Sequence, residues 1–470
     1  MKKTKTIITV GPSSKDINIL KGMIKEGADV VRINLSHADT AFCDDIIDKV
    51  REIEKELDKP IGIMLDTDGP SIRLDKLIED EVYLEKDKTI KLYSYPVICN
   101  NTQFSINYSN IVKELNINDI LLLSDGMVEL EVIDIENDYV LLKVNVGGII
   151  KSNQTVHVKN KTLKLPFLSE KDREGILYGI KKNIDFIALS YVRDEQDVLE
   201  VADILIDQGN NHINIISKIE NSKALDNLDE IAKVSDGLMV ARGDLGIELS
   251  MEKLPYYQKI ILKKAIEYEK VGIVATDFLL SMEDNNHPSR SEVSDIYNAV
   301  MDKCDAIMLS GETTIGKYPL EAVETLTKTI ISAEEDFDYQ SNLDETFSNI
   351  KNDITSNIAY SVVDSSMRLQ ANAIVTNTNS GYTAFKISHY KPCCPILGLS
   401  PELETIRLLT INYGVVPRLS MECKSTDTIV NMCTKKAINY FNLEGGDIII
   451  ITGGFPISNK ITNFMKIEVI

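Results

Sequence analysis

Residues 215–221 read Ile-Ile-Ser-Lys-Ile-Glu-Asn, an apolar run that ends in a lysine and a glutamate two positions apart. Side chains of a strand alternate between its two faces, so Lys218 and Glu220 are expected to project to the same side. A cation and a carboxylate aimed together from a strand end suit a reaction that needs a metal ion and a fixed positive charge. The segment 222–232 that follows has a helical pattern, and this strand-then-helix unit recurs along the chain.

Eight short apolar runs are predicted to be strands, and amphipathic helical patterns alternate with them. The predicted strands are 6–10, 30–35, 61–65, 186–190, 213–217, 237–241, 271–276 and 306–310. Helical patterns include 16–26, 44–57, 170–182, 194–207 and 222–232. An open doubly wound sheet would also alternate, but eight units in series favour a closed (β/α)8 TIM barrel of the α/β class.

The connection between the third and fourth strands is about a hundred residues long, whereas such loops usually have only a few residues. Period-two segments within it are predicted to be strands, at 81–84, 89–93, 120–123, 128–133 and 139–144. We therefore expect an inserted small β-barrel lid domain at the C-terminal rim of the barrel, where the active sites of such barrels lie.

The last part of the chain is predicted to form a separate α/β domain after a polar, acidic linker at 336–353. Its predicted strands are 373–376, 395–399, 414–417 and 447–452. The expected domains are a catalytic barrel from 1–70 and 167–338, a lid from 71–166 and a C-terminal domain from 354–470 that holds a possible effector site.

Composition narrows the class of protein further. The 470 residues carry a net charge of -21, which argues against a general nucleic-acid surface. The seven cysteines form no Cys-x-x-Cys pair, so neither a disulfide framework nor a zinc site is predicted. The apolar run behind the basic N-terminus is too short for a signal peptide, and no stretch reaches membrane-spanning length. We expect a cytoplasmic protein without a membrane partner.

Polar residues at the strand ends supply the candidate chemistry. Glu220 and Asp244, on neighbouring strands, are a reasonable pair of oxygen ligands for Mg²⁺. The cations Arg32, Arg73 and Lys218 suit a phosphoryl group. Backbone amides at Gly243 and Asp244 suit a carboxylate. The oxygen-rich group that suits a monovalent cation consists of Asn34, Ser36, Asp66 and Thr67.

Each of these residues also has a structural interpretation. Glu220 would simply neutralise Lys218, and Thr276 and Ser310 would cap helices. A single arginine or aspartate at a strand end is more often a salt-bridge or capping residue than a catalyst. Their joint position on one predicted rim favours a functional site, because several convergent groups are needed for chemistry.

Six segments at the ends of the predicted barrel strands form a recognisable set. They are Lys-Thr-Lys-Thr-Ile-Ile-Thr-Val-Gly-Pro (3–12), Arg-Ile-Asn-Leu-Ser-His (32–37), Leu-Asp-Thr-Asp-Gly-Pro-Ser-Ile-Arg (65–73), Ile-Ser-Lys-Ile-Glu-Asn (216–221), Met-Val-Ala-Arg-Gly-Asp-Leu-Gly (239–246) and Met-Leu-Ser-Gly-Glu-Thr (308–313). Through these segments the chain resembles the pyruvate kinase family over nearly its whole length. The family's barrel, β lid and C-terminal α/β domain match the predicted layout.

The resemblance implies phosphoryl transfer from phosphoenolpyruvate to ADP, the glycolytic step that yields pyruvate and ATP. Lys218 would stabilise the phosphoryl group in flight, and Glu220 and Asp244 would hold the Mg²⁺ or Mn²⁺ ion that bridges phosphate and enolate oxygens. The remaining roles it implies are phosphate contacts (Arg32, Arg73), substrate contacts (Gly243, Asp244, Thr276), enolate protonation (Thr276, Ser310), nucleotide contacts (Pro12, Asn34, His37, Arg73) and K⁺ binding (Asn34, Ser36, Asp66, Thr67). Homotetramers are usual in the family.

Several positions depart from the family pattern Asp-Thr-Lys-Gly-Pro-Glu-Ile-Arg and its neighbours. Asp68 stands for lysine and Ser71 for glutamate, the position tied to potassium dependence, so the K⁺ requirement is left open. Asp277 stands for glutamine beside Thr276. In the lid, Ser124 replaces aspartate and the segment 154–160 is barely recognisable, which is expected to weaken nucleotide binding or slow closure.

A loop in the C-terminal domain resembles the family's binding loop for phosphorylated effectors. Its candidate residues are Thr378, Asn379, Ser380, Gly381 and Thr383. An ordinary strand–helix turn is an equal alternative, because the second effector loop, near 456–463, looks unlike the family's.

Two other functions are compatible with parts of the pattern. The altered lid and the changes at Asp68, Ser71 and Asp277 fit a catalytically impaired regulatory or metabolite-binding protein. A barrel lyase or aldolase acting on pyruvate enolates would use the same two carboxylates without a nucleotide. The intact site residues Lys218, Glu220, Asp244, Arg73 and Thr276 weigh against the first alternative. The inserted lid and the retained Arg73 weigh against the second.

Overall fold

The computed structural model describes residues 1–159, 161, 163–210, 212–347, 352–423, 425–454 and 461–470. Its strands are β1 (Lys5–Thr9), β2 (Val30–Asn34), β3 (Gly62–Asp66), β4 (Glu81–Leu84), β5 (Thr89–Tyr93), β6 (Gln103–Ser105), β7 (Ile120–Leu123), β8 (Val128–Ile135), β9 (Tyr139–Val146), β10 (Gly148–Lys151), β11 (His157–Val158), β12 (Phe186–Leu189), β13 (Asn214–Ile219), β14 (Gly237–Ala241), β15 (Val271–Ala275), β16 (Ala306–Leu309), β17 (Ala373–Asn377), β18 (Ile396–Ser400), β19 (Val415–Leu419), β20 (Ile448–Gly453) and β21 (Phe464–Val469).

The α-helices of the described residues follow in the same chain order. They are α1 (Ile17–Glu26), α2 (Thr40–Leu57), α3 (Ile111–Glu114), α4 (Glu170–Lys181), α5 (Glu195–Asp207), α6 (Ser222–Asp226), α7 (Leu228–Val234), α8 (Arg242–Glu248), α9 (Leu254–Glu267), α10 (Arg290–Met301), α11 (Gly311–Thr314), α12 (Pro319–Glu335), α13 (Tyr339–Phe347), α14 (Ile354–Arg368), α15 (Tyr382–His389), α16 (Leu403–Leu408) and α17 (Thr426–Phe441). Short 3-10 turns lie at Met251–Lys253, Leu280–Glu283 and Leu409–Ile411.

Eight parallel strands close into a barrel in the order β1-β16-β15-β14-β13-β12-β3-β2, as the sequence predicts. Buried apolar side chains such as Met64, Phe186 and Met239 fill its interior, so the barrel is a packed core rather than a channel. Ile411, from the C-terminal domain, belongs to the same cluster and closes the barrel at the N-terminal ends of its strands. The polar site residues lie at the opposite end of the barrel, at the C-terminal ends of its strands.

The barrel helices begin and end where local hydrogen bonding allows. Ser169 and Asp172 form a capping box at the start of α4, and Gly27 (φ 130°) ends α1. The helix predicted to start at 44 begins at Thr40 instead, because the Asp39 side chain accepts a hydrogen bond from the Phe42 amide. The helix predicted at 222–232 is divided into α6 and α7.

The insert between β3 and β12 is a β domain with its own hydrophobic core. Its strands form a six-stranded sheet, in the order β11-β7-β8-β9-β5-β6, and a two-stranded sheet of β10 and β4. All five predicted strands of the insert are present. The strands β6, β10 and β11 were not predicted, because each is short and has little apolar alternation.

The C-terminal domain has one five-stranded sheet in the order β19-β18-β17-β20-β21. The first four strands are parallel and were predicted, whereas β21 is an antiparallel edge strand that was not. The prediction of a linker at 336–353 is wrong over α13, because Leu343 is buried in the core of this domain. Residues 348–351 of that segment lie outside the described residues.

Ion pairs join the C-terminal domain to the barrel. Lys386 contacts Glu269, Lys391 contacts Asp305, and Arg407 contacts Glu54, with nitrogen–oxygen distances of 2.5, 2.7 and 2.5 Å.

No helix in the described ranges has the length and apolar character needed to cross a bilayer.

Candidate active site

Lys218 lies at the centre of the polar end of the barrel. Its Nζ is 2.7 Å from Ser190 Oγ, 3.2 Å from Asp66 Oδ1 and 3.0 Å from Glu220 Oε1. Burial alone lowers the pKa of Lys218, but the carboxylates of Asp66 and Glu220 outweigh it and hold that pKa above its ordinary value. The barrel therefore keeps one fixed positive charge almost enclosed, with only 8% of the residue exposed.

Asp66 is the partner that Lys218 and Arg32 share. Arg32 donates from Nε to Asp66 Oδ2 at 2.6 Å and from Nη1 to Thr9 Oγ1 at 3.0 Å. Residues 34 and 66 are paired across β2 and β3, and Asp66 is paired with Ala188 of β12, so three neighbouring strands place these groups together. Burial raises the pKa of Asp66, but Arg32 and Lys218 outweigh it and keep the carboxyl ionised.

Tyr191 connects the two carboxylates that the sequence assigns to a divalent ion. Its backbone N–H donates to Glu220 Oε2 at 2.5 Å, and its hydroxyl donates to Asp244 Oδ1 at 2.6 Å. Burial raises the pKa of Glu220 to about 7, and the negative charge of Asp244 adds to that effect. Glu220 and Asp244 are therefore brought to one place from β13 and α8.

The donor set around Glu220 fits a hard divalent cation. Glu220 is 1% exposed, and its Oε1 receives no well-aligned hydrogen bond although Lys218 Nζ lies 3.0 Å away. Burying a carboxylate is costly unless positive charge faces it; the Lys218 ammonium supplies part of that charge, and a divalent cation would supply more. Two carboxylates that supply only oxygen match the preference of Mg²⁺ or Mn²⁺ and leave positions for substrate oxygens.

Thr276 and Gly243 meet at the start of α8. The Gly243 N–H donates to Thr276 Oγ1 at 2.9 Å, and Arg242 Nη2 donates to the Thr276 carbonyl at 2.5 Å. Thr276 has a φ of 72°, in the left-handed region that β-branched residues rarely occupy. Such backbone strain persists where surrounding contacts over-determine it and is frequent at functional sites.

The residues of the predicted monovalent-cation group line one cavity, and their polar atoms are hydrogen-bonded within the group or to neighbouring residues. Asn34 Oδ1 accepts from the Ser36 N–H at 3.0 Å, and the Thr67 carbonyl accepts from Ser190 Oγ at 2.7 Å. Ser36 Oγ donates to Asp68 Oδ1 at 2.9 Å. Asp68 is thus part of this oxygen cluster, which sequence reasoning did not recognise.

Arg73 is held by Asp68 rather than free at the rim. Its Nη2 donates to Asp68 Oδ1 at 2.7 Å and its Nη1 donates to the carbonyl of Asn153, a residue of the insert, at 3.3 Å. Burial raises the pKa of Asp68, but hydrogen bonds from Arg73 and Ser36 outweigh it, so this pKa is lowered. Asp68 and Arg73 therefore connect the barrel rim to the lid.

Most of the predicted site residues line two adjoining cavities. The central one, about 240 Å³, is lined by Arg32, Asn34, Ser36, His37, Asp66, Thr67, Arg73, Lys218, Glu220, Asp244, Thr276 and Ser310, among others. A neighbouring one, about 760 Å³, includes Pro12, Arg32, Asn34, His37 and Ser310 in its lining. The predicted substrate and nucleotide residues thus lie side by side at one barrel end.

The candidate effector loop lies in the C-terminal domain and not at this site. Thr378, Asn379, Ser380 and Gly381 connect β17 to α15, and Gly381 has a φ of 81°. The Asn379 carbonyl accepts from Thr405 Oγ1 at 2.7 Å, and Thr383 Oγ1 lies 2.7 Å from Thr462 Oγ1. Residues 456–460 of the second predicted effector loop lie outside the described residues.

Ser190 and Tyr191 are two site residues that sequence reasoning missed. The fourth strand was predicted, but its end was not read for chemistry. The pair Ser-Tyr directly after the apolar run Phe-Ile-Ala-Leu was the available signal, because the end of every barrel strand reaches the same rim. Nothing in the sequence indicates the left-handed backbone of Tyr191 (φ 56°).

Together, the closed barrel and the cluster of buried charged residues at the C-terminal ends of its strands are typical of an enzyme of the (β/α)8 class. The family model "Pyruvate kinase, barrel domain" matches residues 1–323, and "Pyruvate kinase, alpha/beta domain" matches residues 356–468. The chain therefore belongs to the pyruvate kinase family.

Curated relatives match over the full chain. "Pyruvate kinase" of Staphylococcus aureus (strain MRSA252) is 39% identical over 473 aligned residues, which span all of this chain and 81% of the relative. "Pyruvate kinase" of Sporosarcina psychrophila is 37% identical over the same length and coverage. The chain is thus similar to these proteins in every one of its domains.

Proposed function

We propose that this chain is an active pyruvate kinase that transfers the phosphoryl group of phosphoenolpyruvate to ADP. The observation that carries the proposal is the enclosed ammonium of Lys218 between Asp66 and Glu220, beside Asp244, in a cavity of about 240 Å³. The transition state of phosphoryl transfer spreads negative charge over oxygens, so catalysis depends mainly on positioning and electrostatics.

Arg32 and Lys218 are the proposed ligands of the phosphoryl group. Both line the cavity, and both are anchored on Asp66, so their positive charges are preorganised before substrate arrives. Preorganised charge costs no reorganisation at the moment of reaction. Lys218 is proposed as the residue that stabilises the phosphoryl group between donor and acceptor oxygens.

Glu220 and Asp244 would hold the divalent ion, which supplies positive charge to phosphate and carboxylate oxygens when bound. The raised pKa of Glu220 and its undonated Oε1 support this role, because both are relieved by a cation. Gly243, Asp244 and Thr276, which lie together near the start of α8, would contact the substrate carboxylate.

The proton that completes pyruvate is proposed to reach the enolate methylene carbon from the side of Thr276 and Ser310. Thr276 Oγ1 already accepts from Gly243 N–H, which leaves its own hydroxyl proton for another acceptor in the cavity. Ser310 lines both cavities and its N–H donates to Glu312, so its hydroxyl is not required by that contact.

ADP is proposed to occupy the cavity of about 760 Å³, beside Pro12, Asn34 and His37. Arg73 would contact a nucleotide phosphate from its position between the barrel and the lid. Because Asp68 holds Arg73, this contact would couple the position of the lid to the position of the arginine that binds the nucleotide phosphate.

Potassium is the proposed monovalent ion, held by Asn34, Ser36, Asp66 and Thr67. The carboxylate that the family has at position 71 is absent, but Asp68 Oδ1 lies 3.3 Å from Ser71 Oγ and 2.9 Å from Ser36 Oγ. We propose that Asp68 supplies the negative charge of this site from a different position in the loop.

The wider description of the protein is also a proposal. Separate hydrophobic clusters support three domains near the proposed boundaries 1–70 with 167–338, 71–166 and 354–470, with Leu343 of α13 added to the C-terminal core. A cytoplasmic homotetramer and an effector site at 378–383 follow from the family. A regulatory protein without catalysis gains no support, because a non-catalytic barrel has no physical need to keep several buried charges together.

Pyruvate formation from phosphoenolpyruvate and ADP in the presence of Mg²⁺ tests the proposal, with and without K⁺. We expect turnover that requires ADP, since a lyase or aldolase would act without it. Absence of turnover under both ionic conditions, with other nucleoside diphosphates also supplied, would overturn it.

A further inference from the structure

Tyr191 occupies an unusual backbone conformation directly after β12. Its φ is 56°, in the left-handed region, where a bulky aromatic residue is a genuine outlier. In this conformation its N–H reaches Glu220 Oε2 at 2.5 Å while its hydroxyl reaches Asp244 Oδ1 at 2.6 Å. One residue therefore donates to both carboxylates, which come from different elements of the barrel.

The hydrogen bond from the Tyr191 hydroxyl to Asp244 depends on the side chain and not on the backbone conformation. A phenylalanine would fill the same space and keep the N–H donor, but it would leave Asp244 Oδ1 without the hydrogen bond. A half-buried tyrosine usually finds a partner for its hydroxyl, and here that partner is a charged oxygen at the active site. Charge-assisted bonds of this kind are short and strong.

We propose that Tyr191 is a positioning residue that orients the Asp244 carboxylate for the divalent cation, and this inference rests on the proposed metal-binding role of Glu220 and Asp244. Its hydroxyl engages Oδ1 and so restricts rotation of the carboxylate, which leaves Oδ2 as the oxygen that Tyr191 does not occupy. Partners that hydrogen-bond to metal ligands typically contribute 10–100-fold to metal affinity.

The ring of Tyr191 is also held from the lid side. Its centroid lies 6.2 Å from that of His157 on β11, within the range of aromatic pairs. Both residues line a small cavity between barrel and insert. Contacts on two sides fix the ring, so the hydroxyl has a defined direction toward Asp244.

Mn²⁺ titration of the substrate-free enzyme, followed by the electron paramagnetic resonance signal of free Mn²⁺, tests the inference. We expect Tyr191→Phe to weaken Mn²⁺ binding by about 10–100-fold. The matched control is Tyr178→Phe, since Tyr178 OH donates to Asp44 Oδ1 at 2.5 Å away from the site. Mn²⁺ binding by the control should equal that of the wild type.

The Glu220→Gln variant, measured in the same Mn²⁺ titration, tests the proposed metal site separately from the proposed role of Tyr191. Unchanged Mn²⁺ affinity in Glu220→Gln would overturn the proposed metal site itself. Weakened binding in Glu220→Gln together with wild-type affinity in Tyr191→Phe would overturn only the role of Tyr191. Equal losses of Mn²⁺ affinity in Tyr191→Phe and Tyr178→Phe would also overturn the proposed role of Tyr191.

Two further measurements exclude a merely structural effect. Tyr191→Phe should shift the Mg²⁺ midpoint of activity and recover the wild-type kcat at saturating Mg²⁺, whereas a lower kcat with an unshifted midpoint would contradict a positioning role. Tyr191→Leu, which removes the ring too, should bind Mn²⁺ no better than Tyr191→Phe, and wild-type affinity in that variant would overturn the inference.

Discussion

Lys218 Nζ lies 3.0 Å from Oε1 of Glu220, two residues further along the chain at the end of the same barrel strand. Both residues are buried, and the carboxylate oxygen receives no well-aligned hydrogen bond. A buried ion pair optimised for stability would satisfy its oxygens, because desolvation is otherwise not repaid. This geometry supports the proposal that the pair takes part in binding a cation and an anionic substrate.

Replacing the central lysine should remove catalysis. We expect Lys218→Met to lower kcat for phosphoryl transfer by at least about 100–1,000-fold, the cost of losing one preorganised charge. The fold should persist, because Arg32 still faces Asp66. Steady-state pyruvate formation measures the loss, and circular dichroism checks the fold.

Lys264→Met is the control for that variant, since Lys264 pairs with Asp229 on the outer surface of the barrel at 2.6 Å. It should retain wild-type kcat. Unchanged turnover in Lys218→Met would refute the assigned role of this lysine.

Removing a metal carboxylate should raise the Mg²⁺ requirement. Glu220→Ala should shift the Mg²⁺ concentration for half-maximal activity upward by 10-fold or more, because one of two protein oxygen ligands is lost. Glu56→Ala, at a surface pair with Lys21, is the matched control and should leave the Mg²⁺ titration unchanged. An identical titration for Glu220→Ala would place the metal elsewhere.

Metal binding should weaken in acid. Burial raises the pKa of Glu220 to about 7, so below that pH the carboxyl keeps its proton in the metal-free enzyme. A cation must then displace the proton, and the apparent Mn²⁺ affinity should fall by up to about tenfold per pH unit. Mn²⁺ titrations from about pH 8 to 6 measure this slope, which Glu220→Gln should flatten. A wild-type affinity that does not change across this range would contradict the assignment.

The carboxylate of Asp68 should matter for the monovalent ion. Asp68→Asn removes the negative charge that contacts Ser36 and Arg73. We expect the K⁺ concentration for half-maximal stimulation to rise several-fold, because the site loses one unit of attraction. Asp75→Asn, at a lid aspartate bound to Ser105, serves as control. K⁺ stimulation equal to the wild type in Asp68→Asn would show that Asp68 is not part of the site.

Most of the fold could be predicted from the sequence because the barrel strands are buried apolar runs with strong helical patterns between them. Helix α13 could not, since its exposed face is acidic and only a few residues, such as Leu343, pack against the C-terminal core. The edge strand β21 was missed for a related reason. It pairs antiparallel with β20 and leaves Lys466 exposed and Glu468 partly exposed, so its apolar signal is weak.

The candidate site was predictable where strand alternation alone fixes direction, as for Lys218 and Glu220. Contacts that depend on loop conformation were not. Asp68 reaches Arg73 through a turn at Gly69 with a φ of 72°, and Tyr191 reaches Asp244 through its own left-handed backbone. A glycine permits a left-handed turn but does not specify which side chains that turn brings together, and the residue type of Tyr191 gives no sign of its backbone conformation. The contacts of Asp68 and Tyr191 therefore emerge only from the three-dimensional structure.

A rapid-quench experiment with phosphoenolpyruvate labelled in its phosphoryl group tests the central claim most directly. The enzyme in excess, with ADP, Mg²⁺ and K⁺, should yield labelled ATP in the wild type within one turnover and essentially none in Lys218→Met. Labelled ATP at equal rates in both proteins, or none in the wild type, would contradict an active pyruvate kinase centred on Lys218.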